Sequence, residues 1–307
     1  MKKKILIVLG ILLITFTVAY LLSDQKQNEV EVGIEDQING LIMLIEFESV
    51  EGINNWDKAL KERNLTALIS VQEDLLNQYS DEFRRLAEEG HEISGTCSGD
   101  PFWDMPYEQQ YDLMKETKEA VEVVTGKPMR VLGSKYFAYD ENTLKAADQL
   151  GIDYVLARGT AGEKAMVYKP NEYGVKIISV SNIPFQEMGT GSLCDYSLWA
   201  RGATAEDFSE VVTGSIDKNP SDMILVSHAY LGGTRLAWWK AYEKALDSDR
   251  VSWRGFDDWI KNLKLLELDN ADIPTNREVK YEVPKPSTPI EMLDPVTEEE
   301  LLYPVCY

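Results

Sequence analysis

Groups capable of acid–base or ligand chemistry collect where apolar runs of this chain end. The run Leu41 to Phe47 closes on Glu46, Glu48, Ser49 and Glu51, the run from His91 closes on Thr96, Cys97 and Asp100, and Met223 to Ser227 closes on His228. A carboxylate so placed can take a proton from water, and a histidine can return one to a leaving group. There are two histidines in all, so a site built from several imidazoles is excluded by count. Three cysteines, Cys97, Cys194 and Cys306, show no C-x-x-C spacing. That argues against a zinc knuckle and favours unpaired thiols over a Cys97–Cys194 bridge.

These positions matter because of the elements that precede them. Strands are expected at Leu41 to Phe47, Ala67 to Val71, His91 to Thr96, Tyr154 to Ala157, Val175 to Ser179 and Met223 to Ser227. Helices are expected between them, at Tyr79 to Glu89, Tyr107 to Val124, Asn142 to Leu150, Ala205 to Ile216, Leu236 to Leu246 and Phe256 to Leu265. Strands alternating with helices imply parallel pairing through crossovers, in an open sheet or a barrel, and periodicity does not choose between them. In either architecture, function gathers at the carboxyl ends of the strands.

The composition is that of a folded protein, with 44% hydrophobic and 27% charged residues. A net charge of −21 makes nucleic acid an unsuitable partner, since phosphate backbones are held by clustered Lys and Arg. Lys2, Lys3 and Lys4 precede a charge-free run from Ile5 to Leu22, at the lower end of what crosses a bilayer as a helix. The lysines favour a cytoplasmic N-terminus, with the remainder outside, and an uncleaved anchor is preferred over a removed signal; cleavage would make the protein secreted. The expected organisation is an anchor over residues 1–22, a linker over 23–38, a domain over 39–270 and a proline-rich tail over 271–307.

Three stretches carry a resemblance to a known family: GHEISGTCSGD (Gly90 to Asp100), MPYEQQYDLMKETKEAVEVVTGKP (Met105 to Pro128) and YFAYDENTLKAADQLGIDYV (Tyr136 to Val155). In order and spacing they resemble the polysaccharide deacetylases, the NodB-homology group of carbohydrate esterase family four. With EFRRLAEEGHEI upstream and ILVSHAY downstream, the resemblance runs from about Leu41 to Leu265. It implies an α/β fold, a distorted seven- or eight-stranded (β/α) barrel with its site at the strand carboxyl ends. The implied chemistry removes acetyl groups from N-acetylglucosamine-type sugars or O-acetylated xylans. In that chemistry an aspartate and two histidines hold a divalent metal, a second aspartate is the base and a late histidine is the acid.

Carried over residue by residue, the resemblance meets altered positions. The first signature aligns with Glu46-Phe47-Glu48-Ser49, leaving Glu48 as base and Ser49 at the metal aspartate; in a shifted register Glu51 is the acid instead. The metal histidines fall on Thr96 and Asp100. Thr96 is a neutral hydroxyl, and Asp100 can hold only a hard cation through oxygen. The expectation is therefore no cofactor, or at most a loose divalent cation. His91 belongs to the structural turn. Gly133 replaces the arginine of the third signature, while Tyr136 survives and its backbone N–H is a candidate for the oxyanion pocket. The aspartate that would tune the acid histidine is missing from Leu156-Ala157-Arg158-Gly159-Thr160. His228 stands at the acid position.

The expectation is thus an envelope domain that binds, or weakly deacetylates, N-acetylated polysaccharide or peptidoglycan. Trp103, Tyr136 and Trp238 are its candidate sugar contacts, and of the adjacent Trp238 and Trp239 one is expected at the surface. The alternatives are an amide hydrolase with a rebuilt or metal-independent site and a protein-interaction scaffold.

Overall fold

The computed structural model describes residues 37–46, 49–103, 105–158, 164–184, 190–269 and 288–297. The expected anchor, most of the linker, Glu48 and Cys306 lie outside them. The compact unit begins at Ile38. No helix among the described residues is long and apolar enough to cross a membrane.

The chain opens with β1 (Ile38–Glu46), α1 (Ile53–Glu62), β2 (Leu68–Gln72), α2 (Glu73–Gln78), α3 (Ser80–Glu88), β3 (Glu92–Cys97) and α4 (Tyr107–Thr125). It continues through β4 (Val131–Ser134), α5 (Glu141–Gln149), β5 (Tyr154–Arg158), β6 (Met166–Pro170), β7 (Lys176–Val180), β8 (Asn182–Pro184) and β9 (Thr190–Ser192). The last elements are α6 (Asp195–Trp199), α7 (Ala205–Asp217), β10 (Asp222–His228), α8 (Ala229–Gly232), α9 (Leu236–Leu246), β11 (Val251–Trp253), α10 (Phe256–Lys261) and β12 (Leu265–Leu268).

Ten strands form one sheet in the order β10-β1-β2-β3-β4-β5-β7-β6-β12, with β11 alongside β1. All its pairings are parallel except β6 with β7. The expected distorted barrel of seven or eight strands is thus found as a partly closed one with more strands: among the described residues the hydrogen-bonded path runs from β10 to β12 without joining its ends. The sheet is nevertheless curled. Leu41, Met43 and Ile45 of β1 share one apolar cluster with Leu156 of β5, Ile178 of β7 and Ile224 and Val226 of β10, which a flat sheet would keep apart. Hydrogen bonds from Leu193 N–H to Ser181 O (2.9 Å) and from Val226 N–H to Leu193 O (3.0 Å) cover the free edge of β10.

The opposite face carries the larger core, where α1, α3, α4, α7 and α9 pack their apolar stripes. Trp56 and Tyr242 meet edge to face there, with centroids 4.8 Å apart. Helix α1 escaped the sequence reading although Ile53, Trp56 and Leu60 mark its buried side. The helix expected from Phe256 to Leu265 stops at Lys261, and the last apolar residues instead pair as β12 beside β6. Part of the expected tail is docked: Val296 N–H donates to Thr234 O at 2.8 Å, and Trp199 Nε1–H donates to Thr288 O at 3.0 Å.

Candidate functional site

The strand carboxyl ends frame a cleft of about 370 Å³. Inward-facing positions build its floor, with Ile45 from β1 and Val226 and His228 from β10; Ile45 and His228 are register partners. Arg158 enters from the end of β5, and Cys194, Tyr196 and Arg201 enter from around α6.

The turn after β4 forms one wall. Tyr136 (φ 62°) and Phe137 (φ 54°) are both left-handed, which aims the Tyr136 ring at the cleft mouth. That turn is braced from below by Tyr139-Asp140-Glu141-Asn142-Thr143. Asp140 caps α5 by accepting from Thr143 N–H, and Thr143 Oγ1 accepts from Asp140 N–H in return. Buried Gln110 ties the cap to the preceding loop, donating to Asp140 Oδ1, Phe102 O and Met105 O at 3.0 Å each.

His228 is the centre of the polar cluster. Its Nδ1 lies 3.2 Å from Cys194 Sγ and 3.5 Å from Asp195 Oδ1, and Tyr196 stacks on its ring at 4.7 Å. The Asp195 carboxylate is fully buried and fixed. Its Oδ1 accepts from His228 N–H (2.9 Å) and Tyr196 N–H (2.6 Å), and its Oδ2 accepts from Ser227 Oγ–H (2.8 Å). An aspartate beside His228 is therefore present after all. It comes from the start of α6 rather than from the end of β5, where sequence reading sought it.

Arg158 and Arg201 give the cleft its charge. Burial, then the nearby Arg201 guanidinium, pulls the Arg158 pKa down to about 10. Burial also lowers Arg201, whose Nη1 donates to Ser197 Oγ at 3.0 Å. Neither arginine was singled out from the sequence. The available signal for Arg158 was its place immediately after an expected strand.

The residues expected from sequence divide. Tyr136 and His228 line the cleft. Ser49 turns the chain by accepting from Glu51 N–H at 3.0 Å, and Glu51 is exposed outside the cleft. Asp100 is exposed in the loop after β3, and neither it nor Trp103 is among the lining residues. Trp238 requires correction as a sugar contact: it is 2% exposed and packs on Phe208 with centroids 5.4 Å apart. Trp239 is also buried, against Trp56, because α9 is wedged between neighbours on two sides. His91 is structural, accepting from Ala67 N–H on Nδ1 (3.1 Å) and facing Asp57 with Nε2 (3.3 Å). Cys97 and Cys194 are free and buried.

The metal of the deacetylases does not fit its inherited position. Thr96 Oγ1 is buried and hydrogen-bonded to Ser70 Oγ at 2.5 Å. Gly133 faces the same pair: a Cβ added there would lie 3.5 Å from Thr96 Oγ1. Hydroxyls engaged with each other, a turn serine and an exposed aspartate do not make a tight divalent site.

A curled, mostly parallel α/β sheet with its cleft at the strand carboxyl ends and a histidine closing β10 defines a NodB-type deacetylase fold. Residues 48–155 match the polysaccharide deacetylase family model. A Mycobacterium smegmatis protein described as a polysaccharide deacetylase superposes with TM-score 0.59 at 14% identity, over 77% of this chain and 96% of that one. One from Pseudomonas aeruginosa PAO1 gives 0.55 at 14%, over 73% and 91%. PuuE allantoinase gives 0.55 at 14%, over 73% and 90%. No curated protein sequence matches the chain.

Proposed function

We propose that this chain is an envelope-anchored, extracytoplasmic deacetylase-like domain that holds N-acetylated glycan, peptidoglycan or a related polysaccharide, in its cleft. In this reading the inherited metal-dependent deacetylation has been lost. The supporting observation is the Ser70–Thr96 hydroxyl pair standing where the resemblance puts a metal histidine. The cleft that remains suits a sugar: Tyr136 offers a ring at its mouth, and Ser134, Ser192 and Ser197 offer hydroxyls inside. The leader supports placement at the membrane, with the N-terminus in the cytoplasm.

The test is a pull-down on chitooligosaccharides and acetylated peptidoglycan run beside an acetate-release assay. Binding without release is the expected result; release abolished by Glu48→Gln, Asp100→Asn and His228→Ala would overturn it. A second reading, an amide hydrolase with a rebuilt site, draws on the His228–Asp195 contact at 3.5 Å. There His228 serves as acid and Glu48 as base, and the same assay decides between the two.

A further inference from the structure

Three side chains that sequence reading never joined converge beside the cleft. Cys194 Sγ, Asp195 Oδ1 and His228 Nδ1 lie 3.2, 3.3 and 3.5 Å from one another, and all three residues are buried. We infer that this trio is a metal site, for Zn²⁺ or another borderline divalent cation, distinct from the inherited one that Ser49 and Thr96 have vacated.

The spacing is the first ground. A tetrahedral Zn²⁺ with bonds of about 2.0–2.3 Å separates neighbouring donor atoms by roughly 3.3–3.8 Å, and the trio comes within a few tenths of an ångström of that triangle. A hydrogen-bonded chain from imidazole through thiol to carboxylate needs only two of the three contacts. Here the third edge, His228 to Asp195, is closed as well, although at 3.5 Å it is too long for a good hydrogen bond. Convergence on one point is what a shared cation requires.

The surroundings of the ligand atoms are the second ground. Metal ligands are held by outer hydrogen bonds that fix their orientation. Asp195 has three such donors, from His228 N–H, Tyr196 N–H and Ser227 Oγ–H. The stacked Tyr196 ring holds the imidazole plane.

The chemistry of the donor set is the third. Thiolate, imidazole and carboxylate suit Zn²⁺ better than Mg²⁺ or Ca²⁺, which take oxygen. Three protein ligands leave a fourth position, and both Cys194 and His228 border the cleft. The site is thus of the open kind, able to take water or a ligand oxygen from the cleft.

The inference does not rest on the glycan reading, and its test does not use turnover. Full-length protein, stripped of metal, is titrated with Co²⁺ and then Zn²⁺. One equivalent of Co²⁺ should bind with tetrahedral visible bands and a thiolate-to-cobalt charge-transfer band, and Zn²⁺ should displace it. Cys194→Ser should abolish the charge-transfer band. His228→Gln should weaken Zn²⁺ by at least about 100-fold, the upper end of what losing an outer partner alone costs. Circular dichroism confirms that both variants are folded. A wild-type protein that binds neither ion, or bands unchanged in Cys194→Ser, would overturn the site and leave a hydrogen-bonded trio. Metal retained by both variants and lost in Asp100→Asn would place the ion at the inherited loop and equally overturn it.

Discussion

Ser70 Oγ and Thr96 Oγ1 sit 2.5 Å apart on neighbouring parallel strands, and both residues are buried. Removing one partner leaves the other's hydroxyl short of a bond it cannot replace with water. Thr96→Val or Ser70→Ala alone should cost about 1–3 kcal/mol, while replacing both should cost much less than the sum. Urea unfolding of the two singles and the double gives the coupling. Strictly additive singles would mean that the hydroxyls are not each other's support.

Trp238 gives a cleaner separation of core from site. Its indole is buried against Phe208, so Trp238→Ala should destabilise the fold by about 3–5 kcal/mol. Glycan binding by the fraction still folded should be unaffected. Tyr136→Ala, at a position 41% exposed on the cleft wall, should do the reverse. Thermal melts paired with glycan binding distinguish the two; equal melting temperatures would contradict the placement of Trp238.

His91 predicts how stability responds to acid. Burial holds its imidazole below the ordinary value of 6.5, against the pull of Asp57. The unfolded chain takes up a proton near that value and the folded one does not, so this contribution is complete above it. It is lost progressively as pH falls through it, at no more than about 1.4 kcal/mol per pH unit. Replacing His91 with Gln should lower stability at neutral pH, because Ala67 N–H loses its acceptor. It should also flatten the dependence just below pH 6.5. Melting curves of the two proteins from about pH 7.5 to 5 test this, and an unchanged slope would remove His91 as its source.

Much of the scaffold was legible because its signals are local. Apolar runs mark β1, β2, β3, β5, β7 and β10, and Gly126 stops α4 in the left-handed conformation that glycine adopts without strain. Openness of the sheet was not legible, since nothing local in Met166 to Pro170 or Leu265 to Leu268 says that these two pair at a far edge. The site was legible only where it stays on the inherited strand ends, at His228 and Tyr136. Cys194 and Arg201 reach the cleft from around α6, an element only five residues long, and Asp195 lies buried behind them. The relation of Cys194 and Asp195 to His228 is a contact across more than thirty residues of chain, fixed by Asp195 accepting the His228 N–H. Sequence spacing carries no trace of such a contact.

Gly191 connects backbone and cleft in a way that one methyl group can probe. A Cβ added there would fall 1.8 Å from Arg201 Nη1, so the Arg201 guanidinium occupies the space that an alanine side chain needs. The obstacle is the end of a flexible side chain, and the guanidinium rather than the strand should give way. Gly191→Ala is therefore expected to leave melting nearly unchanged while shifting Arg201 out of its bond with Ser197. If the cleft holds glycan through its arginines, affinity should fall about as far as in Arg201→Ala, roughly tenfold or 1.4 kcal/mol. Titration calorimetry with one glycan on the three proteins reads this directly. A loss in Arg201→Ala that Gly191→Ala does not share would show that Arg201 binds from a position independent of Gly191.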